Sequence, residues 1–177
     1  LGLTVVWHTV KDNHGFVDIR GGSAGTTFEL FFPVCREDAA DAPAPIPLES
    51  LRGHGERILV VDDDAGQRDI ASELLERLGY VVEVAASGDE ALTRIGAARF
   101  DLVVLDMIMA PGMGGRETYE AILRLRPGQP AIVASGFAET ADIQRTLEMG
   151  AGEAILKPYT IERMGAAVRN ELRRHLG

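Results

Sequence analysis

From residue 56 onward, short solid runs of apolar residues alternate with stretches whose apolar positions recur every three or four residues. Ile58 to Val61, Leu102 to Leu105, Ala131 to Ala134 and Ala154 to Leu156 are solid runs, and Tyr80 to Val84 is a fifth run interrupted by Glu83. Their length predicts strands, and the lack of polar alternation predicts strands covered on both faces. Between them, Gln67 to Leu78 carries Ile70, Leu74, Leu75 and Leu78 at helical spacing, with Gly79 at the position that ends a helix. Ser87 can cap a helix over Gly88 to Ala97, and Glu90 completes a capping box. Further helices are predicted over Glu117 to Leu125, over Thr140 to Met149 before Gly150, and from about Thr160, with Ile161, Met164, Val168 and Leu172 facing inward. Five strand–helix alternations with short links predict an α/β fold, a five-stranded parallel sheet with helices on both faces.

The pattern before residue 56 is different. Thr4 to Val10 is apolar on one face and stops at Asn13-His14-Gly15, predicting a helix. Phe16 to Ile19 and Thr26 to Phe32 read as two strands around the Gly21–Gly25 turn. A helix and two strands bury little surface, so residues 1–36 are expected to be a marginal α+β remnant. Residues 37–55, rich in Ala and Pro, are expected to be an extended linker, and residues 56–177 the main domain.

Composition narrows the classes. Apolar residues make up 46% and charged residues 25%, as in an ordinary globular protein, and no apolar run is long enough to cross a bilayer. No signal peptide is evident, and the opening Leu1 reads as a cut inside a longer protein. The net charge of −9 argues against nucleic acid as a partner. The single cysteine, Cys35, fits a reducing compartment, so a cytoplasmic location is expected, without membrane contact by this segment. The histidines lack metal-ligand spacing.

In an open parallel sheet the functional crevice lies at the carboxyl ends of the strands. Asp62-Asp63-Asp64 follows the first of the five strands, Asp106 the third, Ser135 the fourth and Lys157-Pro158 the fifth. Parallel strands bring these ends to one edge, so carboxylates, a hydroxyl and an ammonium converge. Two carboxylates about 4 Å apart repel by ~4 kcal/mol at an effective dielectric near 20. A hard divalent cation relieves this, and a site with few carboxylates suits magnesium, which keeps several waters. Lys157, one of two lysines against sixteen arginines, can reach a phosphoryl oxygen as a point charge. Ser135 can donate to the same group, and Asp106 is the natural nucleophile for forming an acyl phosphate.

Ile58 to Asp64, Asp101 to Met109, Ala134-Ser135-Gly136 and Lys157-Pro158-Tyr159 together resemble the receiver domain of response regulators and hybrid kinases over about 120 residues. The resemblance implies the flavodoxin-like strand order 2-1-3-4-5 and a phosphoacceptor Asp106 supplied by a phosphohistidine donor. It also implies Mg2+ (or Mn2+) bound by Asp63, Asp106 and the carbonyl of Ile108, with Asp62 assisting through water. Ser135 becomes the switch hydroxyl, Lys157 the partner of the phosphoryl group, and the Lys157–Pro158 bond is expected to be cis. Four departures stand out: Ala110-Pro111 lengthens the loop after Asp106, Gly114 replaces a frequent Asp, Gly136 a frequent Ala, and Ala154 the usual aromatic switch residue.

Residues 1–36, through Gly25 to Pro33, resemble the C-terminal end of a histidine-kinase ATP-binding domain, without its nucleotide-binding motifs. The implied parent is a hybrid sensor histidine kinase, itself membrane-attached or not. A homodimer through the face of residues 140–149, 154–156 and the last helix is a further expectation. One alternative is a receiver fold that is never phosphorylated and acts as an interaction module. Another is an aspartyl phosphatase, which requires an acid two residues after the nucleophile, where this chain has Ile108.

Overall fold

The computed structural model describes residues 2–22, 25–34, 46–136 and 140–176. Two compact units divide between Ala44 and Pro45. In the first, helix α1 (Gly2–Asp12) is followed by strands β1 (Phe16–Gly22) and β2 (Gly25–Phe31). The strands pair antiparallel, with Phe16 opposite Phe31 and Ile19 opposite Phe28. Of the expected turn, Ser23 and Ala24 lie outside the described residues, as do Cys35, Arg36 and residues 37–45 of the expected linker.

The second unit follows the predicted alternation: β3 (Arg57–Val61), α2 (Ala65–Arg77), β4 (Val81–Ala85), α3 (Gly88–Ala97), β5 (Leu102–Asp106), α4 (Gly115–Leu125), β6 (Ala131–Ser135), α5 (Ala141–Glu148), β7 (Ala154–Leu156) and α6 (Ile161–Leu176). The sheet order is β4-β3-β5-β6-β7 with every pairing parallel, which is 2-1-3-4-5 counted within this unit. Successive side chains of a strand point to opposite faces. Leu102 and Val104 therefore join a core with Leu75, Leu78, Met164 and Val168 of α2 and α6 or their ends. Val103 and Leu105 join a second core with Ile95, Tyr119, Ile122 and Ile143 of α3, α4 and α5. This double coverage explains why the strands read as solid apolar runs. β5 and β6 are buried at every position.

Helix ends follow local chemistry. Ser87 accepts from the Glu90 amide, but the Glu90 carboxylate returns to the Ala86 amide, one residue earlier than a standard capping box. Gly79 takes a left-handed φ of 88° just after α2, a conformation that favours glycine.

Two expectations need correction. Ile70 is 49% exposed. Ala71, Leu75 and Leu78 form the buried i, i+4, i+7 stripe instead, and Ile70 lies about 100° round the helix from Ala71. Residues 46–55 were expected to belong to the linker, yet Leu48–Leu51 forms a 3-10 turn and Leu51 is buried in the core beside α6. The Tyr80 hydroxyl donates to the Leu51 carbonyl at 3.1 Å, and the Gly53 amide to that of Leu78 at 2.8 Å. A window rich in Ala and Pro hides one well-placed leucine.

Candidate functional site

The strand ends meet as the parallel topology requires. Asp62 and Asp63 follow the last residue of β3, Asp106 and Ser135 close β5 and β6, and Lys157 follows β7. The Lys157 amide donates to the Ser135 carbonyl at 2.7 Å, tying the last two ends together. The Lys157–Pro158 bond is cis, as expected, and so is Ala110–Pro111.

Carboxylate oxygens of Asp62, Asp63 and Asp106 all lie within 4.8 Å of one another. Asp62 and Asp106 are buried, whereas Asp63 is exposed. The Lys157 ammonium sits between the buried pair, 2.5 Å from Asp62 Oδ2 and 2.9 Å from Asp106 Oδ1. Three of the four remaining oxygens are steered by backbone amides. Asp62 Oδ1 accepts from Asp64 at 2.9 Å, Asp106 Oδ2 from Ile108 at 3.2 Å, and Asp63 Oδ2 from Ala110 at 3.3 Å. Ser135 is buried at the same edge. Ile108, whose amide binds Asp106, is 58% exposed.

Burial raises the Asp106 carboxyl above its ordinary range; the Lys157 hydrogen bond and charge pull it back only in part, and Asp62 adds to the rise. For Lys157, burial acts downward, but hydrogen bonds to Asp62 and Asp106 outweigh it and its pKa ends raised. The ammonium thus stays charged, and one positive charge faces three carboxylates. The surplus of negative charge leaves room for a hard cation with oxygen ligands.

Two contributors escaped the sequence reading. Arg68, in the first turns of α2, donates from Nη1 to the carbonyls of Asp62 at 2.7 Å and Asp63 at 3.0 Å. Its signal was a donor-rich side chain shortly after an acidic triplet, which is too common to single out. At Gly115, a Cβ would lie 2.3 Å from the Asp106 carbonyl and 2.7 Å from Met107 Cα. The N-terminus of α4 therefore packs directly on the backbone of Asp106, and only glycine allows that approach. Asp64 serves the helix instead of the cluster, accepting from the Gln67 amide at 3.0 Å as the N-cap of α2. Among the described residues, no helix is long and apolar enough to cross a membrane.

The chain matches the response regulator receiver domain family over residues 58–169. It is 38% identical over 120 residues to the DNA-binding response regulator MtrA of Mycolicibacterium paratuberculosis, covering 68% of this chain and 52% of that protein. It is 37% identical over 118 residues to the probable transcriptional regulator ycf27 of Cyanophora paradoxa, covering 67% of this chain and 48% of that protein. Among solved structures it is similar to a CheY-like response regulator receiver domain protein from Methanospirillum hungatei, at 34% identity and a TM-score of 0.65, covering 69% of this chain and 97% of that one. The chain spans about half the length of the curated relatives it matches.

These relatives overturn the expectation that nucleic acid has no part, since they are named DNA-binding and transcriptional regulators. The charge argument failed for a physical reason. A net charge of −9 describes this chain alone, and a receiver that shares its protein with another domain carries no information about that domain's surface. With residues 58–169 matched and the acidic cluster at the strand ends, this chain belongs to the response regulator receiver domain family.

Proposed function

We propose that Asp106 accepts a phosphoryl group from a phosphohistidine donor, in a two-component phosphorelay that depends on a divalent cation. The observation that carries this reading is the position of Lys157, which bridges Asp62 and Asp106 at the edge where four strand ends converge. The donor set of clustered carboxylates fits Mg2+ (or Mn2+), which prefers hard oxygen ligands. Asp63 and Asp106 would hold it directly, the Ile108 carbonyl would add an oxygen, and Asp62 would act through water. When bound, such a cation neutralises charge on phosphoryl oxygens.

The chain's own residues do the rest. A carboxylate oxygen of Asp106 attacks phosphorus, an O–P bond forms, and the P–N bond of the phosphohistidine breaks. The electron pair leaves with the imidazole, which takes up a proton. Lys157 balances charge that moves onto the phosphoryl oxygens, and Ser135 donates a hydrogen bond to them. The product carries about −1.5 to −2 of charge on its phosphoryl oxygens where the Asp106 carboxylate carried one negative charge, and this new charge biases the structure around α5, β7 and α6.

The protein as a whole has two candidate settings. The likeness of residues 1–36 to the end of a kinase ATP-binding domain supports a hybrid sensor kinase with a cytoplasmic receiver. The relatives, named a DNA-binding response regulator and a probable transcriptional regulator, support a regulator whose output is binding to DNA. Both use the same phosphoacceptor chemistry.

Intact-protein mass spectrometry after incubation with acetyl phosphate tests the chemistry. We expect a Mg2+-dependent gain of one phosphoryl group that is absent in Asp106→Asn. A folded protein that binds Mg2+ but gains no phosphoryl group would establish the interaction-module reading instead.

A further inference from the structure

We infer that Arg68 is a positioning residue for the cation site, acting on the backbone of the acidic pair and not on any carboxylate. The inference rests on the phosphoacceptor reading above. Arg68 Nη1 binds the carbonyls of both Asp62 and Asp63, at 2.7 and 3.0 Å. Its own amide donates to the Asp64 carbonyl at 3.1 Å. Three consecutive carbonyls of the β3–α2 loop are therefore held by one residue of α2. Fixing those carbonyls fixes the peptide planes on either side of Asp63, and with them the direction of its Cα–Cβ bond.

Asp63 needs this most. Asp62 and Asp106 are buried and pinned by Lys157, whereas Asp63 is exposed and its carboxylate has a single long hydrogen bond, 3.3 Å from the Ala110 amide. An exposed carboxylate of this kind turns among staggered rotamers about its Cα–Cβ bond, so the direction of that bond sets which points its oxygens can reach. Asp63 must nevertheless present an oxygen within 4.8 Å of those of Asp62 and Asp106 for the three to share one ion. The guanidinium supplies this restraint while leaving every carboxylate oxygen available. Nη1 makes both contacts from the tip of a rigid planar group; a lysine ammonium stands one bond nearer the backbone and its donors rotate, so it does not reproduce that reach.

The sign of the effect separates positioning from simple charge. Arg68 carries a positive charge beside a cation site. If charge were its whole influence, Arg68→Ala would bind Mg2+ more tightly and Arg68→Lys would bind as the native chain does. Positioning requires the opposite, with both variants binding more weakly. Isothermal titration calorimetry with Mg2+ on the full 177-residue chain reads this directly, with the thermal midpoint measured alongside. We expect Kd for Mg2+ to rise about ten-fold in Arg68→Lys, and at least as much in Arg68→Ala, as for other residues that orient metal ligands from outside. The midpoint of Arg68→Lys should stay that of the native chain. Tighter binding by Arg68→Ala, or native affinity in Arg68→Lys, would overturn the inference while leaving the phosphoacceptor reading intact. If Arg68→Ala fails to fold, Arg68→Lys decides alone. A native chain that binds no Mg2+ would remove the phosphoacceptor reading, and this inference with it.

Discussion

The two units of this chain use the same kinds of residue to opposite effect. The hairpin unit holds Phe16, Ile19, Phe28, Leu30 and Phe31 in its two strands, yet none is buried. The five-stranded unit buries β5 and β6 at every position. In the hairpin, Asp18, Arg20 and Glu29 share one face and pair in salt bridges, while Val17, Ile19, Phe28 and Leu30 share the other. Two strands cannot cover their own apolar face, whereas five strands between two helical layers bury both. β-propensity makes a strand, but only coverage by other elements turns its side chains into stability.

The comparison breaks most readily in the core. Ile132→Ala removes a fully buried side chain from β6 and should cost about 2–5 kcal/mol, whereas Ile19→Ala, at a side chain 59% exposed, should change stability by no more than about 0.5 kcal/mol. Urea unfolding followed by far-ultraviolet circular dichroism measures both. Equal losses would mean that the exposed hairpin face contributes as a core does.

A second test uses the tyrosines, all three of which lie in the five-stranded unit. The Tyr80 and Tyr119 phenols are both pushed up to about 12, first by burial and then by the charges of Glu56 and Glu171 respectively. A free tyrosine titrates near pH 10. Between about pH 10 and 12 the unfolded chain therefore loses protons that the folded chain keeps, and folded-state stability falls as pH rises through that window. Below about pH 10 these two groups leave stability unchanged. Phenolate absorbance during alkaline titration should show both phenols ionising late. Ionisation near pH 10 in the folded protein would show that they are open to water.

The smallest effect is local. Ser87→Ala removes the side chain that accepts from the Glu90 amide at the start of α3 and should cost about 1 kcal/mol. Thermal unfolding reads the loss. No change would mean that the Glu90 carboxylate on the Ala86 amide closes the helix by itself.

Much of the site was legible because strand ends in a parallel sheet share an edge. Asp62, Asp63, Asp106, Ser135 and Lys157 could be placed together once five short strand-like runs had been recognised. The bridging role of Lys157 was harder to read, because the distances to Asp62 and Asp106 depend on how two strands splay. Arg68 was missed because it acts on backbone carbonyls, which leave no trace in residue type. Ile70 was misread because a period of 3.6 residues leaves two adjacent positions competing for the inner stripe, and small Ala71 won it.

By itself the sequence determined the order and kind of elements, the helix caps at Ser87 and Gly79, and the chemistry available at each strand end. These depend on interactions among residues a few positions apart. Tertiary structure alone decided that Leu51 belongs to the core, that α4 starts against the backbone of Asp106 at Gly115, and that Arg68 grips the acidic loop. Each is a contact between surfaces formed only after the helices have packed on the sheet. No local pattern encodes it, because the energy lies in how the elements fit together and not in the elements themselves.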